Sequence, residues 1–145
     1  MQTGPRRVLI VCTANACRSQ MAEGLWRHLA GDRWEVFSAG LRPTRVHPLA
    51  IRVMGEIGID IREQRSESID AYRDQPFDLL VTVCDHAAKE CPTLPHVSNR
   101  LHWPFPDPDA TRGSDEERLR VFRNVRDQIA WKVKSFLQQV EGVGC

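Results

Sequence analysis

The sequence has no long apolar run. Near its N-terminus the longest is Val8 to Val11, far short of a signal peptide's apolar region or the roughly 20 residues of a membrane span. The chain is therefore expected in the cytoplasm, with no membrane partner. An excess of one charge is missing too: 20 Lys and Arg stand against 19 Asp and Glu, a formal +1. That balance gives no chain-wide attraction to nucleic acid or an anionic surface, so any basic site must be local. There are no internal repeats and no linker-like stretch. At 145 residues the chain lies below the size at which one core divides, and residues 1–145 are read as a single domain acting as a monomer. With 41% hydrophobic and 27% charged residues, it has material for a core and too much of it for disorder.

Five cysteines leave one over in a fully paired set, and a chain of this length holds together without staples. The thiols are read as reduced, reactive or metal-bound. Around them, strands alternate with helices. Residues 7–11 (RVLIV) are a buried, β-branched run leading into Cys12. From Ser19 onward Met21, Ala22, Leu25, Trp26, Leu29 and Ala30 fall at helical spacing until Gly31 and Asp32. Residues 34–39 (WEVFSA) predict a second strand, and residues 48–57 a helix with Pro at its first position and Gly58 just past its end. A short helical turn follows at 68–72. Residues 77–83 (FDLLVTV) are a continuous apolar run suited to a strand covered on both faces.

Residues 84–98 contain two prolines and no sustained period, which predicts a loop, followed by a short strand at 99–103 and a proline-rich turn at 104–108. Ser114 and Glu117 have capping-box spacing ahead of a helical stripe, Leu119, Phe122, Val125, Ile129, Val133 and Phe136, that runs to about Val140. The alternation predicts an α/β fold: a small doubly wound parallel sheet of four strands with helices on both faces. Ligands of such sheets bind at the carboxyl ends of the strands, where Cys12, Cys84 and the turn around Asp107 can meet.

The segment Cys12, Thr13, Ala14, Asn15, Ala16, Cys17, Arg18, Ser19 sets a cysteine and an arginine six positions apart between a strand and a helix. A loop of that length can curl so that successive backbone N–H groups point at one centre, while the helix N-terminus adds its partial positive charge. This makes a site for a tetrahedral oxyanion. Arg18 can grip two oxygens with its planar fork, and the same field favours an ionised Cys12, the candidate nucleophile. Ser19 can donate a hydrogen bond to that sulfur, and Asn15 can brace the loop in a left-handed conformation. Cys17 is read as packing beneath the loop.

The run 11–24 (VCTANACRSQMAEG) resembles the low-molecular-weight protein tyrosine phosphatases, and more narrowly the thioredoxin-coupled arsenate reductases built on their fold. Residues 81–95 (VTVCDHAAKECPTLP) resemble the redox segment of those reductases, with Cys84 and Cys91 seven apart, and residues 102–108 (HWPFPDP) resemble their acid loop. The likeness runs from about Arg7 to Leu137. It implies that Cys12 attacks arsenate, that Arg18 and the loop amides hold its oxygens, and that Asp107 protonates the departing hydroxide. It implies further that Cys84 then attacks Cys12, releases arsenite and leaves a Cys12 to Cys84 disulfide, that Cys91 next attacks Cys84, and that thioredoxin reduces the resulting Cys84 to Cys91 disulfide. Ala14 stands where Gly is frequent in these reductases, which implies a modest shift of loop geometry. Some members hold a potassium ion beside the loop. Asn15, Glu23, Ser38 and Glu67 match those ligand positions, with Glu67 in place of a shorter Asp; no tightly bound organic cofactor is implied.

Other readings stand beside these. Asp107 lies in a Pro-Asp-Pro turn, where Asp is common for conformational reasons, and Asp109 is the rival acid. Cys84, His86, Cys91 and His96 are all zinc-ligand types, although their spacing fits no common zinc module. A seven-residue spacing after a central strand is a poor place for two buried thiols. A phosphotyrosine phosphatase is the second enzymatic reading, yet Asp109 stands where such enzymes offer an aromatic residue to the substrate ring. A thiol-based metalloid or zinc sensor is the third. Cys145 is read as a bystander, Trp26, Trp34, Trp103 and Trp131 as core or partly buried, and the arginines of 118–126 as a solvated helix face.

Overall fold

The computed structural model describes residues 4–141. Its strands are β1 (Arg6–Cys12), β2 (Trp34–Gly40), β3 (Leu79–Thr82) and β4 (Arg100–His102), and its helices are α1 (Arg18–Ala30), α2 (Pro48–Glu56), α3 (Asp85–Glu90) and α4 (Asp115–Val140). All strand pairs are parallel, in the order β2-β1-β3-β4. The chain leaves β1 for β2 on one side and returns to β3 on the other, so the crevice above β1 and β3 is the switch point of the sheet. Cys12 closes β1 and Cys84 lies just beyond β3.

The two faces of the sheet carry different loads. Trp34 of β2 meets Trp26 of α1 edge-on at 5.3 Å and Phe136 of α4 at 6.4 Å, and Trp103 stacks on Trp26 at 5.8 Å. Aromatic pairs of this kind contribute about 0.5–1.5 kcal/mol each beyond burial. The opposite face is closed by Phe37, Tyr72 and Phe77, packed at 5.7–6.0 Å, and by the short α3. The Trp26 indole N–H is buried with no hydrogen-bond partner among the described residues.

Helix α4 starts where the capping box places it: Ser114 accepts from the Glu117 N–H at 3.2 Å and the Glu117 carboxylate accepts from the Ser114 N–H at 3.2 Å. Its buried stripe includes Leu119, Phe122, Val125, Ile129 and Val133, as expected, but also Arg126. That arginine leaves the solvated face because its guanidinium bridges the end of α2, donating to the Val53 carbonyl at 2.8 Å and to Glu56 at 3.0 Å. Trp131 departs in the other direction and is 69% exposed, since the stripe turns its side away from the sheet. Strand β3 is shorter than its apolar run; Phe77 makes only an isolated bridge to Val97.

The segment 84–98 is not wholly a loop. Six residues form α3, with Cys84 as its N-cap, whose sulfur accepts from the Ala87 N–H at 3.4 Å, and Cys91 as its C-cap. A cysteine cap is not an ordinary helix-start signal, and Pro92 limits the helix to little more than one turn.

Gly40 ends β2 directly under the loop that follows β1. A Cβ there would lie 2.8 Å from the Thr13 carbonyl oxygen and 3.0 Å from the Asn15 backbone nitrogen, so the loop approaches as closely as a bare backbone permits. Gly40→Ala is expected to push the loop outward and weaken phosphate binding at least tenfold while leaving the chain folded. Isothermal titration with phosphate, alongside a thermal melt, checks this; unchanged affinity would contradict the close fit.

Candidate active site

The loop from Cys12 to Cys17 is turned inside out by its surroundings. The segment after β2 donates outward-facing bonds to its carbonyls: Leu41 N–H to Cys12 at 3.2 Å, Arg42 N–H to Thr13 at 2.8 Å, Thr44 N–H to Ala14 at 3.1 Å and His47 N–H to Ala16 at 3.0 Å. The Gln20 amide takes the Asn15 carbonyl at 3.0 Å, and Met21 N–H takes that of Cys17 at 2.9 Å. With these carbonyls committed to the rim, the N–H groups are free to face the centre. Asn15 completes the curl with φ 51°, the left-handed conformation expected of it. Helix α1 then begins without a side-chain cap or an acidic residue in its first turn, which leaves its first N–H groups available to an anion.

Cys12 sits at the centre, 3% exposed. Its sulfur accepts from the Asn15 N–H at 3.2 Å and lies 3.0 Å from the Ser19 hydroxyl. That hydroxyl already accepts from the Asn15 side-chain amide at 2.7 Å, so its own proton points to the sulfur. Both contacts put a hydrogen-bond donor on the sulfur. Cys17 is buried under the loop, and burial raises its thiol well above the ordinary range, with Asp109, Asp107 and Cys12 adding to the effect against Arg18. It is the inert thiol of the pair.

The cleft above Cys12 has a volume of about 740 Å³ and brings together Arg18, Cys84, Asp107 and Asp109, with Arg42 on its rim. Arg18 donates to the Phe105 carbonyl at 3.2 Å and lies 3.8 Å from the Asp107 carboxylate. The two aspartates differ in how they are held. One Asp109 oxygen faces His47 Nε2 at 3.0 Å and Arg118 at 3.3 Å. Because His47 Nδ1 accepts from the Leu49 N–H at 3.0 Å, Nε2 carries the proton and donates. Asp109 is thus a strut of the turn. One Asp107 oxygen accepts from the Asp109 N–H at 3.0 Å, and the other lies 3.8 Å from Arg18 at the lining of the cleft, where an acid is required.

Cys84 also lines this cleft, buried, with its sulfur 3.4 Å from the Thr13 hydroxyl. The 84–91 spacing reads as a poor place for two buried thiols; one of the pair, Cys84, is buried, at the N-cap of α3. Cys91 lies half-buried at the far end of that helix, and burial raises its thiol against the opposing charge and hydrogen bond of Arg100. Cys84, His86, Cys91 and His96 do not assemble as a metal-ligand set among the described residues. Cys145 lies outside the described residues.

Over residues 7–143 the chain matches the model of the low molecular weight phosphotyrosine protein phosphatases. The chain belongs to that family. It is 49% identical to the arsenate reductase of Halalkalibacterium halodurans, over 90% of this chain and 94% of that protein. An arsenate reductase solved in its phosphate-binding state superposes with a TM-score of 0.80 at 35% identity, covering 92% of this chain and 98% of that one. A thioredoxin-dependent arsenate reductase of Corynebacterium glutamicum matches at 25% identity and TM-score 0.72, covering 97% of this chain and 64% of that one. Among the described residues no helix is long and apolar enough to cross a membrane.

Several residues around the loop had no signal in the sequence. The collar 41–47, Gln20 and Gly40 act through backbone contacts that no motif marks, and Arg42 on the rim looked like a loop residue. Beneath the loop, Asn15, Ser38, Glu23 and Glu67 do converge. The Asn15 amide donates to Ser38 at 2.9 Å and its oxygen accepts from the Glu67 N–H at 2.8 Å, while Ser38 donates to Glu23. Glu23 also pairs with Arg27 at 2.7 Å, and Glu67 accepts from Tyr72 at 3.0 Å. Burial holds the Glu23 carboxyl above the ordinary glutamate range against the Ser38 hydrogen bond and the Arg27 charge, with Glu67 pushing the same way as burial. Two carboxylates beside a hydroxyl and an amide oxygen are the oxygen ligands that a monovalent cation takes.

A raised Glu23 binds its proton more tightly in the folded chain, so the stability this proton confers is lost as pH climbs past the raised value. Glu23→Gln lacks that loss. In sodium-free and potassium-free buffer, the melting temperature of the variant is expected to gain on that of the parent chain as pH rises from the ordinary glutamate range to neutrality. A constant difference across that range would contradict the assignment.

Proposed function

We propose that the chain reduces arsenate to arsenite, with Cys12 as nucleophile, Cys84 and Cys91 as a disulfide relay, and thioredoxin as the final reductant. The observation that carries this reading is the second thiol in the cleft: Cys84 borders the same space as Cys12, 3.4 Å from Thr13. Hydrolysis of a phosphate ester through a phosphocysteine needs one thiol, whereas reduction needs another within reach of the first. The names of the relatives supply the substrate, and the thioredoxin-dependent neighbour supports the partner.

The chemistry follows from the groups in place. The Cys12 thiolate attacks arsenic, an S–As bond forms, and an oxygen leaves as water with the proton of Asp107. Arg18 and the inward N–H groups hold the remaining oxygens where negative charge gathers. Cys84, as thiolate, then attacks the Cys12 sulfur. The S–S bond forms as the S–As bond breaks, its electron pair goes to arsenic, and arsenite leaves with the Cys12–Cys84 disulfide behind it. Cys91 next attacks Cys84, freeing Cys12 as thiolate without net oxidation, and the thioredoxin dithiol supplies two electrons and two protons to the Cys84–Cys91 disulfide. A potassium-type cation held by Asn15, Ser38, Glu23 and Glu67 would supply positive charge beneath the loop.

Cysteine variants test the relay. Cys84→Ser is expected to keep weak cleavage of an aryl phosphate, which needs only Cys12, Arg18 and an acid, and to lose arsenate turnover. Cys91→Ser is expected to release about one arsenite per chain and stop, with the Cys12–Cys84 disulfide accumulating in trapped samples read by mass spectrometry. Full thioredoxin-coupled turnover in both variants would overturn the relay and favour the phosphatase reading.

The acid and the anion grip have their own tests. Asp107→Asn is expected to slow the first chemical step by about 10² to 10⁴, and Asp109→Asn much less, as measured by single-turnover kinetics. Arg18→Ala is expected to abolish turnover; retained activity would contradict the site.

A further inference from the structure

The His102 imidazole bridges the sheet to the first turn of helix α3. His102 ends β4 and pairs across the sheet with Thr82, the last residue of β3. Its Nδ1 lies 2.8 Å from the Thr82 hydroxyl and 3.2 Å from the Thr82 carbonyl, and its Nε2 lies 2.9 Å from the carboxylate of Asp85, the first residue of α3. A carboxylate only accepts, so Nε2 donates to Asp85. Nδ1 can meet Thr82 in either charge state of the ring, accepting from the hydroxyl when neutral and donating to the carbonyl when protonated. Cys84 is enclosed by this bridge, since it lies between Thr82 and Asp85 in sequence.

The bridge bears on the redox pair because α3 separates the two thiols. Seven residues at the helical rise put Cys84 and Cys91 about 10 Å apart along the axis, whereas a disulfide brings its Cα atoms within roughly 4.4–6.8 Å. Closing Cys84 onto Cys91 therefore requires α3 to unwind. Arg100, two residues before His102 and on the same face of β4, meets the Cys91 thiol at the other end of the helix. One exposed edge strand thus addresses both ends of the redox segment.

We infer that His102 is a positioning residue of the relay: through Asp85 it pins the first turn of α3 to the sheet, holding Cys84 in the cleft in the dithiol form, and this pin is released when Cys84 pairs with Cys91. The inference rests on the relay proposed above. The step it biases is the thiol exchange itself, in which Cys91 bonds to Cys84, the Cys12–Cys84 bond breaks, and Cys12 leaves as thiolate. A contact present only in the helical dithiol form favours that form, so its removal shifts the equilibrium toward the Cys84–Cys91 disulfide. The expected shift is about two- to fivefold, the scale of a partly exposed charge-assisted contact.

The test uses the full chain carrying Cys12→Ser, so that Cys84 and Cys91 form the couple. Samples are equilibrated across ratios of reduced to oxidised dithiothreitol, whose dithiol passes two electrons and two protons to the protein disulfide, then acid-quenched, alkylated and read by mass spectrometry. Four variants are compared in that background: His102→Ala, Asp85→Ala, both together, and His102→Gln. The Asp85 side chain is 80% exposed, so its replacement does not threaten the fold. Asp85→Ala also removes an acidic group from the helix N-terminus, which the double variant takes into account. The expected result is a two- to fivefold shift toward disulfide for each Ala variant, no further shift in the double variant beyond Asp85→Ala, and recovery of most of the difference in His102→Gln, whose amide can still donate to Asp85. Additive shifts, or none, overturn the pin while leaving the relay standing. Failure of the parent background to form a Cys84–Cys91 disulfide at any ratio overturns the relay, and the pin with it.

Discussion

The carbonyl groups of residues 12–17 point outward, and most of the site depends on that. A backbone loop carries donors and acceptors in equal number, and an anion site needs only the donors. The collar 41–47, the Gln20 side chain and the Met21 N–H of α1 remove the acceptors by giving each carbonyl a partner away from the centre. N–H groups turned to the centre of a buried loop need an acceptor there, and an anion or a thiolate supplies one. Cys12 meets part of that demand in the free chain, and the tetrahedral oxyanion meets the rest.

The same economy of partners separates residues that look alike. Asp107 and Asp109 are two positions apart, but His47 and Arg118 hold Asp109 and leave Asp107 facing Arg18. Cys12 and Cys17 are five apart in one loop, yet donors surround the sulfur of Cys12, while burial keeps Cys17 protonated. Cys84 and Cys91 cap opposite ends of one short helix, one turned into the cleft and the other half-exposed. In each pair, chemistry follows from neighbours in space.

That distinction also describes what the sequence could reveal. The strand runs, the capping box at Ser114 and the stripe of α4 are local patterns with local causes, and the structure repeats them within a residue or two. The Cys12 to Ser19 segment was legible because spacing between a strand and a helix limits what such a loop can do. Helix α3 was not, because its cap is a thiol and Pro92 shortens it below any detectable period. The collar was silent for a different reason: it acts through main-chain N–H groups, which every residue but proline possesses. Arg126 and Trp131 exchanged their expected places because tertiary contacts, to α2 in one case and to solvent in the other, override a charge pattern or an aromatic count.

Arsenate reduction drawing electrons from thioredoxin is the central claim, and one assay addresses it directly. Reduced thioredoxin, thioredoxin reductase and NADPH are mixed with the chain, arsenate is added, and NADPH oxidation is followed at 340 nm, with glutaredoxin, glutathione and glutathione reductase as the comparison. The account predicts sustained, arsenate-dependent oxidation with the thioredoxin system and little with the glutaredoxin system. No arsenate-dependent oxidation with thioredoxin, from a chain that still cleaves an aryl phosphate, would contradict it.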